Sequence, residues 1–173
     1  LLNQGVIQGK PVYLSDINMT LMDLWLHLRD EPQRVIQQLR KLQLAYNPRD
    51  SETYYANRSR YNELGDISSI EKSALLITLN RTCFNGLYRE NSRGEFNVPV
   101  GRYANPRILD EENLWSVSQA LQHVKLETRP YVDVLHGARK GDFVYFDPPY
   151  YPRNKTSQFA QYSRDGFRAE DHE

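Results

Sequence analysis

Asp147, Pro148, Pro149 and Tyr150 follow directly on an apolar run, Phe143 to Phe146. Four consecutive large apolar or aromatic residues suit a central parallel strand, which is buried on both faces. A proline has no N–H with which to continue a sheet ladder, so the chain leaves the sheet at Asp147. The product is a carboxylate, a rigid turn with free carbonyls and an aromatic ring at the carboxyl end of a strand. In open α/β sheets that edge is where ligands bind. A capped turn with an exposed tyrosine is the competing reading of the same four residues.

A second carboxylate repeats the arrangement. Residues 11–18 read as a short strand ending at Asp16, where a carboxylate can accept both hydroxyls of a ribose. Asp16 could equally cap the helix that follows, and its weight as a site comes from Asp147 on a partner strand. Helical spacing then runs from Met19 to Leu28, and again from Pro32, a first-turn proline, to about Tyr46. A break at 47–50 leads into a polar, tyrosine-rich helix from Ser51 or Glu52 to Leu64. Ser68 or Ser69 caps the next helix, whose expected core face is Ala74, Leu75, Ile77 and Leu79. Residues 110–121 are predicted helical, 124–128 a strand, and a further helix starts at Tyr131. A strand, several helices, a hairpin and two more strands predict an α/β parallel sheet with a helical insertion near 47–109. That makes two structural units, with 1–46 and 110–173 on either side of the insertion.

Between Arg81 and Tyr103 the pattern changes. Arg81, Arg89, Arg93 and Arg102 alternate with Asn85, Asn91, Asn97 and the aromatics Phe84, Tyr88, Phe96 and Tyr103. Asn91-Ser92-Arg93-Gly94 reads as a hairpin turn. Arg and Asn are the side chains that form bidentate bonds to guanine and adenine edges. Arg also holds phosphates, and an exposed aromatic can wedge between base pairs. A hairpin with a solvated basic face is the competing reading. Overall composition offers no help, because 22 Lys and Arg balance 22 Asp and Glu. Any polyanion-binding surface must therefore come from local clustering.

The remaining composition sets bounds. A length of 173 residues suffices for one ordinary domain or a small core with a large insertion. Mean hydropathy of -0.71 marks a wet globular protein, and twelve tyrosines argue against disorder. The one cysteine, Cys83, excludes an internal disulfide framework and fits a reducing compartment. With no signal peptide and no apolar run long enough for a membrane, a cytoplasmic protein is expected. Neither a metal site nor a membrane contact is expected.

The stretch from Asn85 to Gly101 closely resembles the target-recognition region of the DNA adenine methyltransferase (Dam) family, matching Asn-Gly-Leu-x-Arg-x-Asn-x-x-Gly-Glu-Phe-Asn-Val-Pro-x-Gly. Asp16-Ile17-Asn18 before it and Asp147 to Tyr150 after it keep that family's order and spacing. Residues 154–163 resemble the loop beyond its catalytic motif. The resemblance implies a Rossmann-like S-adenosylmethionine-dependent methyltransferase sheet carrying an inserted helical and β-hairpin DNA-recognition domain at 47–109. It implies methyl transfer from S-adenosylmethionine to N6 of adenine in double-stranded DNA, with the base flipped out of the duplex and GATC as the target. Asp147, Pro148, Pro149 and Tyr150 would be catalytic, and Asp16, Ile17, Tyr131 and Asp147 would bind the cofactor, with Pro130 beside its adenine. Phe84 or Asn85 would fill the gap left in the duplex, Arg89 would read a guanine, and Leu87 and Pro99 would lie by a thymine methyl. Arg81, Asn91, Asn97, Arg102 and Tyr103 would mostly hold phosphates. Relatives of this kind usually act as monomers. The family's upstream Phe-x-Gly-x-Gly turn does not occur in the sequence, so a fragment of a longer protein is expected. A DNA-binding module without catalysis, and a methyltransferase acting on RNA or a protein amine, are the alternative functions.

Overall fold

A computed structural model describes residues 11–147. Pro148, Pro149, Tyr150 and the loop at 151–163 lie outside the described residues. Strand β1 (Val12–Asp16) is followed by helices α1 (Met19–Asp30), α2 (Pro32–Ala45), α3 (Glu52–Glu63) and α4 (Ile70–Thr82). An irregular hairpin leads on to α5 (Glu111–Leu121), β2 (Val124–Thr128) and α6 (Tyr131–Gly137). β1 and β2 pair in parallel, with Asp16 opposite Thr128. Their carboxyl ends therefore share one edge, as expected for an α/β sheet.

Each helix start has a local cause. Asn18 accepts a hydrogen bond from the Leu21 N–H at 3.0 Å and begins α1. Ser69 accepts from Lys72 at 3.1 Å and begins α4, and Asp110 accepts from Asn113 at 3.3 Å and begins α5. Such side chains replace intrahelical partners that the first N–H groups lack. α1 and α2 meet at Glu31, which ends one helix and precedes Pro32 of the next. The missing N–H of a first-turn proline costs the second helix nothing.

α4 is the axis of the packing, wrapped by α1, α2 and α3. Leu76 is buried there and Ile77 only half-buried, so the core face differs from the expected single stripe. A helix covered on several sides is buried nearly all round, and even Thr78 and Thr82 are enclosed. Their hydroxyls donate to the carbonyls of Ala74 and Thr78, four residues earlier, at 2.8 and 2.6 Å. One continuous buried cluster joins Leu28 and Leu39 to Tyr54, Leu79, Phe96 and Leu114. The end of α1 is tied to the sheet through Arg29, which donates to the Val124 carbonyl at 3.2 Å. Its own carbonyl accepts from Gln122 at 2.8 Å.

The run Phe143 to Phe146, expected as a buried central strand, is irregular and exposed, with Phe143 at 87% and Tyr145 at 76%. Apolar residues make a strand only where neighbouring strands supply hydrogen-bond partners and covering layers. The described sheet consists of β1 and β2, and neither is paired to 143–146. A turn precedes the run, closed by Asp142 N–H donating to Arg139 O at 3.0 Å and by Arg139 N–H donating to the Asp142 carboxylate at 2.8 Å.

The core is sensitive to single hydroxyls where they anchor the hairpin. Tyr54 is fully buried and donates to the Val98 carbonyl at 2.8 Å, while Arg58 donates to the same oxygen at 3.1 Å. In Tyr54→Phe that carbonyl keeps Arg58, so urea unfolding is expected to show a loss of about 1 kcal/mol, the net worth of one hydrogen bond. Unchanged stability would show that the hydroxyl is not engaged in this contact.

Candidate functional site

Two regions carry the residues singled out by sequence. The first is the carboxyl edge of the β1–β2 pair. Asp16 is exposed there, and its Oδ1 accepts from the Asn18 N–H at 2.7 Å. Among the described residues its Oδ2 has no hydrogen-bond partner and remains available as an acceptor. Ile17 beside it is exposed. At the end of β2 the Arg129 N–H donates to the Asp16 carbonyl at 3.1 Å, which brings Pro130 and Tyr131 to the same edge. The Tyr131 ring meets Phe146 edge-on, with centroids 6.3 Å apart and planes at 85°. The structure thus gathers Asp16, Ile17 and Tyr131, and puts the residue before Asp147 against Tyr131. A free carboxylate oxygen, an exposed aliphatic side chain and an aromatic ring suit a ribose carrying a flat base.

The second region is the hairpin from Arg81 to Tyr103. It begins at the end of α4 with a tight turn, Phe84–Gly86, closed by Leu87 N–H donating to Phe84 O at 3.2 Å. Asn85 (φ 53°) and Gly86 (φ 62°) both adopt left-handed backbone. Asn and Gly are the residues that tolerate this, and two in succession make a type I′ turn. The Asn80 side chain donates to the Gly86 carbonyl at 2.8 Å and supports it. Phe84 (48% exposed), Asn85 and Leu87 are thereby held in solvent. Arg81, Pro99, Arg102 and Tyr103 are exposed as well. Gly101 lets the Tyr103 ring fold back against the backbone. A Cβ there would meet that ring at 2.4 Å and the Cys83 carbonyl at 2.6 Å.

Arg89, Asn91 and Asn97 are half-buried and bonded within the hairpin. The Arg89 Nε donates to Asn97 Oδ1 at 2.7 Å, and Nη2 donates to the Asn97 carbonyl at 3.3 Å. This fixes the plane of the guanidinium and leaves Nη1 without a hydrogen-bond partner among the described residues. Asn91 shapes the turn at 91–94: its Oδ1 accepts from the Arg93 and Glu95 N–H groups at 2.9 and 3.1 Å. Its Nδ2 donates to the Glu95 carboxylate at 2.7 Å. That bond, and the Arg93 guanidinium beside it, hold the Glu95 carboxyl below the usual range.

The hairpin has little regular ladder of its own. Its two bridges, Cys83 with Val100 and Glu90 with Phe96, are isolated. Its arms are also joined where Asn91, Asn97, Phe84 and Gly101 N–H groups donate to the carbonyls of Glu95, Arg89, Pro99 and Thr82 at 2.9, 3.1, 2.8 and 2.8 Å, and α3 serves backbone groups between these. Besides Tyr54 and Arg58, Asn62 pairs with both backbone groups of Phe96, accepting from its N–H at 2.9 Å and donating to its carbonyl at 3.1 Å. Tyr54, Arg58 and Asn62 recur every four residues and so line one face of the helix. Sequence reasoning missed their role, although that spacing was the signal for it. The Asn-Gly pair at 85–86 was likewise a readable turn signal.

Below the hairpin lies an aromatic layer. Phe96 meets Tyr61 and Tyr88 edge-on at 6.0 and 5.9 Å. Burial pushes the Tyr61 phenol up to about 12 and raises that of Tyr88, whose hydroxyl donates to Glu90. Cys83 is fully buried, and burial raises its thiol, which donates to the Leu87 carbonyl at 3.2 Å. That agrees with a packing residue and not a nucleophile. Among the described residues no group of His, Cys, Asp and Glu could hold a metal ion, and no helix is long and apolar enough to cross a membrane.

A family model for D12 class N6 adenine-specific DNA methyltransferases matches residues 2–173. The chain belongs to this family. It is 42% identical over 167 residues to the type II methyltransferase M.MjaIII of Methanocaldococcus jannaschii, covering 94% of this chain and 58% of that protein. It is 37% identical over 163 residues to the type II methyltransferase M1.LlaDCHI of Lactococcus lactis subsp. cremoris, covering 91% and 56%. Against the DNA adenine methylase of Serratia marcescens it is 34% identical over 158 residues, covering 91% and 57%. The chain therefore spans somewhat over half the length of these relatives.

The enclosed thiol gives a direct check on the hairpin's seat. In the native protein Cys83 is expected to resist an aromatic disulfide reagent and to react fully in denaturant. Labelling of the native protein at the free-thiol rate would show that the base of the hairpin is open.

Proposed function

We propose that the protein carrying this chain transfers a methyl group from S-adenosylmethionine to N6 of adenine in duplex DNA, at GATC. The observation that carries this reading is the hairpin, which holds Phe84, Asn85, Leu87, Arg89, Pro99 and Arg102 together on a buried support. Residues 47–109 then act as the target-recognition unit of a methyltransferase sheet. The nucleic-acid class is favoured over a protein amine because one hairpin carries exposed Phe84, Asn85, Arg81, Arg102 and Tyr103 together with the braced Arg89.

Each position has a chemical task. Phe84 or Asn85 occupies the place of a base flipped out of the stack, which is how an enzyme reaches an atom inside a duplex. Arg89, its plane fixed by Asn97, presents its remaining N–H groups to guanine O6 and N7. Leu87 and Pro99 lie by a thymine methyl, and Arg81, Arg102 and Tyr103 hold phosphates. Asn91 and Asn97 serve the shape of the hairpin first.

At the sheet edge the free oxygen of Asp16 suits the ribose hydroxyls of the cofactor, with Ile17 and Tyr131 flanking its adenine. The bound cofactor supplies an electrophilic methyl on a sulfonium. Asp147 accepts one N6 hydrogen of the target adenine and the Pro148 carbonyl the other. The nitrogen lone pair, otherwise delocalised into the ring, is thereby directed at the methyl group. Alignment of two reactants of this kind is worth several kcal/mol. The carboxylate also stabilises positive charge developing on nitrogen. Pro149 stiffens the turn, and Tyr150 stacks on the flipped base. Cytoplasmic placement, and action as a monomer that needs no metal ion, complete the proposal.

The test is tritiated methyl transfer by the full-length protein to a GATC duplex and to one with the adenine replaced. Incorporation into the first only is expected, whereas equal incorporation, or none, would overturn the reading. Asp147→Ala is expected to abolish transfer while DNA affinity stays within a few fold. Arg89→Ala is expected to lose about 1–3 kcal/mol of discrimination at one base pair, the worth of a bidentate contact. Unaltered discrimination in that variant would remove Arg89 as the reader.

A further inference from the structure

The turn that carries Phe84 and Asn85 is tied to α4 at its middle by one side chain. Asn80 lies exposed in the last turn of α4, and its Nδ2 donates to the Gly86 carbonyl at 2.8 Å. Among the described residues no other side chain donates to a carbonyl of residues 84–86. The turn is anchored at its two ends by other means. The Phe84 N–H donates to the Pro99 carbonyl at 2.8 Å, and the Cys83 thiol donates to the Leu87 carbonyl at 3.2 Å. Between these points it closes only on itself, Gly86 N–H to Cys83 O at 3.4 Å and Leu87 N–H to Phe84 O at 3.2 Å.

Stability does not need the Asn80 bond. Asn80 and Gly86 are both exposed, so water can take the place of either partner at small net cost. What the bond removes is freedom. Gly86 sits at φ 62°, and glycine has more backbone states open to it than any other residue. The Asn85 side chain has no hydrogen bond and the Phe84 ring no ring partner among the described residues. Where these two side chains stand is therefore decided by the backbone of the turn. Asn80 refers that backbone to α4, the element enclosed on several sides.

We propose that Asn80 is a positioning residue for base extrusion: by holding the Gly86 carbonyl it keeps Phe84 and Asn85 set to enter the stack as the target adenine leaves. The inference rests on the preceding assignment of the hairpin to duplex DNA and of Phe84 or Asn85 to the vacated place. A wedge ordered in advance loses less conformational freedom when it inserts. It meets the stack only when the base departs, so loss of Asn80 falls on extrusion and spares the reading of the neighbouring pairs.

The experiment uses the full-length protein, S-adenosylhomocysteine and a GATC duplex with 2-aminopurine in place of the target adenine, whose fluorescence rises on unstacking. Asn80→Ala favours the helix and removes the donor, and Asn80→Leu keeps the bulk without the donor. At saturating protein both variants are expected to lower the ratio of extruded to stacked base roughly tenfold, the scale of one hydrogen bond. Discrimination at the pair read by Arg89 is expected to stay within about twofold, well below the loss of a base contact. A second duplex sets the 2-aminopurine opposite an abasic position, which removes the pairing that extrusion must break. There both variants are expected to reach the wild-type fluorescence. A hairpin merely loosened by the substitution, or an Asn80 that itself touches DNA, would instead lower both duplexes alike. Equal deficits on the two duplexes, or none on the paired one, would overturn the inference and leave the hairpin as the DNA reader. A wild type that binds the duplex without any rise in fluorescence, or does not bind it, would overturn the assignments beneath the inference as well.

Discussion

The second arm of the hairpin is held from two sides, by the first arm and by α3, and the rest of the structure is built around that double attachment. An ordinary antiparallel ladder supplies a hydrogen bond for nearly every backbone group. Here Glu95, Asn97, Pro99 and Gly101 of the second arm bond the first arm, while Phe96 and Val98 between them take their partners from α3, through Tyr54, Arg58 and Asn62. α3 is in turn fixed by its packing on α4, whose burial on several sides makes it the most constrained element of the fold. The irregular backbone is an advantage at the site. A regular strand would send successive side chains to opposite faces. Around the left-handed pair Asn85–Gly86 and the close approach at Gly101, Phe84, Leu87, Arg102 and Tyr103 are instead all exposed.

The same economy appears within the hairpin. The Arg89 guanidinium is held in one orientation by Asn97, which accepts from both Nε and Nη2. Preorganisation reduces the conformational freedom lost on association. Asn91 and Glu95 do for the turn what Asn97 does for the guanidinium. Side chains that looked interchangeable in sequence, three asparagines among arginines, thus divide into one left-handed turn residue and two that brace their neighbours.

Local signals in the sequence were read well wherever a single residue decides the outcome. Ser69 and Asp110 begin α4 and α5, Pro32 begins α2, and Val124–Thr128 is a strand. The parallel pairing of the strands that end at Asp16 and Thr128 agrees with the α/β sheet expected from sequence. Two features were not legible. α3 read only as a polar, tyrosine-rich helix with no apolar stripe, and nothing in that pattern marked the face that carries the hairpin. Residues 143–146 read as a strand because four apolar residues in a row describe an environment, and the described sheet does not provide it. Secondary structure set by neighbours in space is invisible to local pattern.

The central claim is that recognition depends on the support beneath the hairpin as much as on the residues it presents. Asn62 tests it most directly, because it lies on α3 and its side chain bonds the backbone of Phe96 and, among the described residues, none of the proposed readers. The measurement is the ratio of affinities of full-length Asn62→Ala for a GATC duplex and for one with a substituted base pair. The ratio is expected to fall roughly tenfold, as though a base contact were lost, with affinity for the substituted duplex little changed. A folded Asn62→Ala protein that discriminates as well as the wild type would contradict the account.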